Sequence, residues 1–364
     1  MHTYLRATLH TGERFVPNGA LTVHEHRVLF AGSADDWDGK GEYTDCTGLY
    51  LAPGLVDLQI YGGGGRLFNT DPTADTIQAT WQAVRAGGGR HFQITLSCSP
   101  WETMLQAFDA CRQYWREGGE GLLGLHLEGP YFNPEKRGAH PLKNIRKPST
   151  DDVRELLLQG RDVIRYITLA PEMFDADTLS LLLQSGIPLS AGHSNATYQQ
   201  AMEGFRQGIP CSTHLFNAMS PFQGRSPGMV GAIYDHKPYT SIIADGVHCD
   251  FNALRISKEI LKDRLFLITD AVTESASGDY RFVKNGDHFV DEQGTLAGSS
   301  LTIWEAVRNT TLQAGIPLEE SIRMATLYPA LAVGRADTIG RLAPGLLENW
   351  ILFDDSLQLV AGSP

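Results

Sequence analysis

With 364 residues, the chain is long enough for one large barrel with a small appendage, or for two or three smaller units. Hydrophobic residues at 42% and charged residues at 20% are ordinary for a globular enzyme and exclude a disordered chain. The net charge of −12 has the wrong sign for a non-specific nucleic-acid binder, and no apolar run approaches the roughly 18 residues that span a bilayer. The opening MHTYLRATLHTGERF lacks the apolar stretch of a signal peptide, and the five cysteines (Cys46, Cys98, Cys111, Cys211, Cys249) show no CxxC spacing. Reduced thiols and a cytoplasmic location are therefore expected.

The first fifty residues predict short strands at Tyr4–Leu9, Ala20–His24 and Arg27–Ala31, with turns at Thr11-Gly12 and Asn18-Gly19. His24-Glu25-His26 looks like a His-x-His metal pair, but its place between two strands predicts a solvated hairpin turn. From Gly54 onward, eight short apolar runs alternate with polar or Gly-rich loops and helical patterns. They are Gly54–Ile60, His91–Leu96, Leu122–Leu127, Val163–Leu169, Pro188–Ala191, Cys211–His214, Thr240–Ala244 and Leu265–Thr269. Asp151-Asp152 opens a helix with Val153, Leu156 and Leu157 on one face, closed by Gly160; Asp175 opens another with Leu179, Leu182 and Leu183, ending at Gly186. Only the stretch after Cys211–His214 is loop-rich and predicts no clear helix. The tail, Asn349–Leu359, returns to strand after the turn Pro344-Gly345. Eight β/α units predict a parallel TIM-type (β/α)8 barrel, with reactive groups at the C-terminal strand ends. An open doubly wound sheet is the alternative, which the count of eight disfavours. The two β ends are expected to pair into a small flanking sheet.

Four predicted strands finish in side chains that bind metals or transfer protons: LHLEGP with Glu128, SAGHSN with His193, STHLFNA with His214 and LITDA with Asp270. One carboxylate and two imidazoles form a divalent metal site that keeps a position open for water. An aspartate beside such a site can take a proton from water and return it to a leaving amine. Any one of these residues alone reads better as a strand cap; four on one rim point to a metal hydrolase. His126 shares a strand face with Glu128 and reads as a packed core histidine in preference to a partner of the site. His91 opens its strand at the wrong end for catalysis. His248, in IIADGVHCD, falls on the active rim. The loop GPYFNPEKRGAHPLKNIRK carries Lys136, Arg137, Lys143, Arg146 and Lys147, either as a solvated basic loop or to favour an anionic substrate. Arg225, in SPFQGRSPG, offers a bidentate fork suited to phosphate. Gly62–Gly65 lacks P-loop spacing and supports nucleotide binding only weakly.

LAPGLVDLQIYGGGG, GLHLEGPYFNPEKRGAH, TLAPE, SAGHSNAT, THLFNAM, IIADGVH, ITDA and GTLAGSSLT stand in the order and spacing of the N-acetylglucosamine-6-phosphate deacetylase family of the amidohydrolase superfamily. The resemblance runs from about Pro53 to Gly334. It implies a (β/α)8 barrel over residues 53–336, a small β-sandwich from residues 1–52 and 337–364, and a homodimer acting on a small sugar-phosphate, with no nucleic-acid or membrane partner. It also implies hydrolysis of N-acetylglucosamine 6-phosphate to glucosamine 6-phosphate and acetate. Carried over by position, Glu128, His193 and His214 hold one divalent metal, zinc before iron, cobalt or manganese. Asp270 is general base and then acid, and His140 polarises the substrate carbonyl. Ala139, His140, Asn217, Ala218 and His248 match substrate contacts, with Leu296, Ala297 and Gly298 lining the sugar pocket. Arg225 matches an arginine reaching the phosphate from the partner subunit. The alternatives are a cyclic amidase, a deaminase, or a deacetylase of a related N-acetylhexosamine phosphate. Strand one departs from the superfamily's common His-x-His: it has Gln59 and Tyr61, and Gln59 is a poor ligand for a zinc-like ion.

Overall fold

The computed structural model describes residues 1–275 and 278–363. Eight parallel strands pair in chain order: β1 (Leu55–Ile60), β2 (Gly89–Leu96), β3 (Leu122–Glu128), β4 (Ile164–Leu169), β5 (Leu189–Ala191), β6 (Cys211–Ser212), β7 (Tyr239–Ile243) and β8 (Leu265–Ile268). Every residue of β1, β2 and β8 is buried, as expected for short apolar runs covered on both faces. The helices α1 (Ala74–Ala86), α2 (Trp101–Arg116), α3 (Thr150–Gly160), α4 (Ala176–Gln184), α5 (Tyr198–Gln207), α6 (Gly228–His236), α7 (Phe251–Leu261) and α8 (Ile303–Leu312) follow the strands in turn. Side chains of Thr73, Ser149, Asp175, Thr197, Asp250 and Thr302 accept first-turn N–H groups, and Thr197/Gln200 and Thr302/Glu305 form full capping boxes. This is a (β/α)8 barrel.

The helix α6 corrects the expectation of no helix after the sixth strand. Its sequence, GMVGAIYDH, follows Pro227 without a side-chain cap, contains two glycines, and is buried continuously from Gly228 to Ile233. Six consecutive buried residues present no amphipathic stripe from which a period could be read.

The seam between β1 and β8 is stitched at the mouth end. Asp270 N–H donates to the Gln59 carbonyl and Tyr61 N–H to that of Ala271, each at 2.9 Å. Lower down, the Asp57 carboxylate takes the place of a ladder: it accepts from Thr269 Oγ1 (2.5 Å), Thr269 N–H (3.2 Å) and Gln59 N–H (3.2 Å). Burial pushes the Asp57 carboxyl up to about 7 despite these donors.

Both termini build a separate seven-stranded sheet, in the order Leu359–Gly362, Trp350–Phe353, Tyr50–Pro53, His2–His10, Phe15–His24, Arg27–Ser33, with Glu42–Asp45 beside His2–His10. Leu9, Leu21, Leu51, Trp350 and Leu352 form its core. Glu25 and His26 turn the hairpin with φ of 49° and 59°, and His24-Glu25-His26 is exposed, a solvated turn as expected. Between β8 and α8, an antiparallel meander (Val283–Asn285, His288–Val290, Leu296–Ser299) folds over the barrel mouth. Its Phe289 packs with Tyr61, Leu67, Val272, Tyr280 and Phe282. Among the described residues, no helix is long and apolar enough to cross a membrane.

Candidate active site

Glu128 is the last residue of β3, while His193, His214 and Asp270 each stand two residues past β5, β6 and β8. Those three adopt left-handed backbone, with φ of 48°, 37° and 54°, and Phe216 (78°) and Ala218 (47°) do so in the same rim. Such conformations cost of order 1–3 kcal/mol in a non-glycine residue and persist where the surroundings impose them. At His193, His214 and Asp270 it turns the chain out of its strand while the side chain lines one cavity of about 230 Å3.

At the cavity floor three donor atoms converge. His193 Nδ1 donates to the Lys136 carbonyl (2.9 Å), which leaves Nε2 as a bare lone pair. That Nε2 lies 3.0 Å from His214 Nε2 and 3.3 Å from Glu128 Oε1, and His214 Nε2 lies 3.2 Å from the same oxygen. Ligands about 2.0–2.1 Å from a tetrahedral zinc-like ion stand about 3.3–3.4 Å apart, so this triangle is the right size for one face of such a site. Burial pushes His193 down to about 4, which keeps its ring neutral. For Glu128 burial acts upward, but the imidazoles of His193 and His140 beside it outweigh this and hold the carboxyl well below its usual range.

His140 is also within reach of Glu128 and His193, and the three form a compact donor set. Its tautomer argues against ligation. Nδ1 accepts from Cys98 N–H (3.3 Å), so Nε2 carries the proton and donates to Glu128 Oε2 at 3.1 Å. His140 is thus a hydrogen-bond donor aimed into the site. Asp270 Oδ1 accepts from Gln59 Nε2 at 2.6 Å, and the same nitrogen lies 2.9 Å from Glu128 Oε1 and 2.7 Å from Tyr61 Oη. Burial raises the Asp270 carboxyl, His214 opposes this, and the Glu128 charge adds to it; the net shift is upward.

Ala139, Asn217, Ala218, His248, Leu296, Ala297 and Gly298 line the same cavity. His248 Nδ1 pairs with Asp245 Oδ2 (2.6 Å), leaving Nε2 for the cavity. Gly298, at φ 150°, admits no side chain, because a Cβ there would lie 2.7 Å from Val272 and 2.9 Å from the Asp270 carbonyl. Arg225 is not brought to this cavity; it is exposed in the loop where Gln223 and Ser226 pair. Among the described residues no lysine or arginine lines the cavity. In the basic loop, Lys143 pairs with Asp279 (2.8 Å), Arg137 donates to the His140 carbonyl (3.0 Å) and Arg146 lies over the Trp101 ring. His126 is a core histidine, bonded to the Leu58 carbonyl and Thr168 Oγ1. His91 is buried in β2, away from the mouth. Cavity residues not singled out from the sequence include Tyr280, whose hydroxyl donates to the Cys98 carbonyl at 2.7 Å, and Val272, Phe282 and Thr295. They lie between β8 and α8, where no strand-end pattern points to them.

A (β/α)8 barrel whose strand ends converge on a Glu/His/His cluster with an adjacent aspartate defines a hydrolase of the metal-dependent barrel class. The chain belongs to the amidohydrolase family, whose model matches residues 50–361. It is 36% identical over 327 residues to N-acetylglucosamine-6-phosphate deacetylase of Haemophilus influenzae, covering 87% of this chain and 85% of that one. It is 34% identical over 337 residues to N-acetylgalactosamine-6-phosphate deacetylase of Shewanella sp., covering 90% and 84%. The crystal structure of N-acetylglucosamine-6-phosphate deacetylase from Pasteurella multocida superposes with a TM-score of 0.95 at 33% identity, over 100% of this chain and 97% of that one.

Proposed function

We propose that the protein hydrolyses the acetamide of N-acetylglucosamine 6-phosphate, giving glucosamine 6-phosphate and acetate, in cytoplasmic amino-sugar breakdown. The observation that carries this reading is the convergence of Glu128, His193, His214, His140 and Asp270 on one small cavity in a chain so similar to deacetylases of phosphorylated N-acetylhexosamines. Glu128, His193 and His214 would hold one divalent ion; two imidazoles and a carboxylate favour zinc, with iron, cobalt or manganese as alternatives. When bound there, such an ion supplies Lewis acidity that lowers the pKa of water and polarises a carbonyl.

The protein's own residues supply the rest. Asp270, with its carboxyl raised by burial, takes a proton from the attacking water, whose oxygen forms a bond to the acetyl carbon. His140 Nε2–H turns from Glu128 Oε2 to the carbonyl oxygen as that oxygen gains negative charge. The C–N bond then breaks, and Asp270 returns the proton to the leaving amine. Ala139, Asn217, Ala218, His248 and the Leu296–Gly298 segment bind the sugar, and Arg225 of a second subunit meets the phosphate in a homodimer. Acetate release from N-acetylglucosamine 6-phosphate, with N-acetylgalactosamine 6-phosphate and a dihydropyrimidine assayed beside it, tests the reading. Turnover of the cyclic amide alone would replace it, and preference for the galacto sugar would change the substrate assignment.

A further inference from the structure

Tyr61 is a cavity residue that this chemistry leaves unused. Its side chain is buried and packed among Leu67, Val272, Tyr280, Phe282 and Phe289, so packing fixes where the hydroxyl sits. Oη lies 2.5 Å from Glu128 Oε2, 2.7 Å from Gln59 Nε2 and 3.3 Å from Asp270 Oδ1. The protons can be assigned from these partners. An ionised carboxylate only accepts, and an amide nitrogen only donates. Tyr61 has one proton, and its shortest contact is to Glu128, so it donates there and accepts from Gln59.

The two oxygens of Glu128 therefore have different partners. Oε1 faces His193 Nε2, His214 Nε2 and Gln59 Nε2, while Oε2 faces Tyr61 Oη and His140 Nε2. We propose that Tyr61 is a positioning residue for the metal centre: its hydroxyl holds Oε2 of Glu128 so that Oε1 alone completes the donor triangle. Through Gln59, the same hydroxyl fixes the amide that engages Asp270 Oδ1. The proposal rests on the reading of Glu128, His193 and His214 as the metal ligands. Hydrogen-bond partners of metal ligands typically contribute 10–100-fold to metal affinity.

Tyr61→Phe tests it, because the ring and its packing stay while Oη is lost. Zinc affinity is measured by chelator competition on metal-stripped wild type and variant, with thermal unfolding of both stripped proteins alongside. The expected result is about 10–100-fold weaker zinc binding in Tyr61→Phe, with little change in the unfolding temperature of the stripped protein. Combining the change with Glu128→Gln should add little to the loss from Glu128→Gln alone, since Tyr61 acts through that carboxylate. Equal zinc affinity in wild type and Tyr61→Phe, or fully additive losses, would overturn the positioning role while leaving the metal reading intact. A wild type that binds no divalent ion, or binds it unaffected by Glu128→Gln, would overturn both. Neither measurement involves the sugar substrate, so an error in the substrate assignment would not disturb the result.

Discussion

At the residue scale, the arrangement turns on how two buried carboxylates are kept different. Glu128 faces the imidazoles of His193, His214 and His140, and its carboxyl lies well below the usual range; Asp270 is held above it by burial. The first is suited to a permanent ligand, the second to a group that gains and loses a proton. Asp270→Asn preserves the acceptor that meets Gln59 Nε2, so the fold and metal content should survive while kcat falls by about 10²–10⁴-fold. Steady-state kinetics on metallated variant protein checks this, and a near-normal kcat would remove Asp270 from the proposed mechanism. Gln59 yields a second expectation. Its Nε2 lies 2.9 Å from Glu128 Oε1 and 2.6 Å from Asp270 Oδ1, placing an amide donor between the two carboxylates where a second cation would stand. Elemental analysis of active, dialysed protein should find one divalent ion per chain; activity tracking a second equivalent would contradict it. Glu128, His193, His214 and Asp270 were legible in the sequence because a parallel barrel gathers the C-terminal ends of its strands on one rim. The left-handed backbone at His193, His214 and Asp270 was not legible, because nothing in a non-glycine residue type announces it. Tyr280 was not legible either: the Cys98 carbonyl to which it donates lies 182 residues away in sequence.

At the scale of elements, the barrel strands were readable because each is a short apolar run followed by a rim loop, and most helices because a cap precedes an amphipathic face. The strand Glu42–Asp45 was not: EYTD is exposed throughout and shows no alternation. The β1–β8 seam also has no sequence signature, since it depends on the Asp57 side chain replacing backbone pairing. That seam has a pH dependence of definite sign. Asp57 binds its proton more tightly in the folded state, at about 7, than an unfolded aspartate at about 3.9. Its contribution to stability is therefore fully present below about pH 4 and is lost as pH rises through about 7, with a slope of up to about 1.4 kcal/mol per pH unit. In Asp57→Asn the neutral amide keeps an acceptor for Thr269 N–H, and Thr269 Oγ1 can turn to the Gln59 carbonyl 3.2 Å away. Urea unfolding of metal-stripped protein should show the variant gaining on wild type between pH 5 and about 7 and running parallel above pH 8. A difference that stays constant across that range would mean that Asp57 does not titrate in the folded protein.

At the scale of the whole molecule, the proposed second chain answers a gap in the charge distribution. The proposed substrate carries a phosphate dianion, yet the cavity of one chain is lined by Glu128, Asp270 and histidines, with no lysine or arginine among the described residues. The basic loop does not fill the gap, since Lys143 is paired with Asp279 and Arg137 with the His140 carbonyl. Arg225 is exposed, as is Phe222 three residues before it, on the loop that leads from β6 into α6. In a two-fold homodimer the same loop serves both mouths, because an isologous interface uses each surface twice. Arg225→Ala should then raise KM for the phosphorylated sugar far more than it lowers kcat, since a contact present equally in ground and transition states contributes uniform binding. Complementation separates an arginine from the partner from one acting in its own chain. Arg225→Ala and Asp270→Asn chains, each impaired alone, are co-expressed in equal amounts and assayed at substrate levels well below the KM of the arginine variant. Half of the dimers are mixed, and each mixed dimer holds one site with both an intact Asp270 and an Arg225 from the neighbour, so about a quarter of wild-type activity should return. If Arg225 serves its own chain, or if the protein is a monomer, no site in the mixture is intact and activity stays at the average of the two parents.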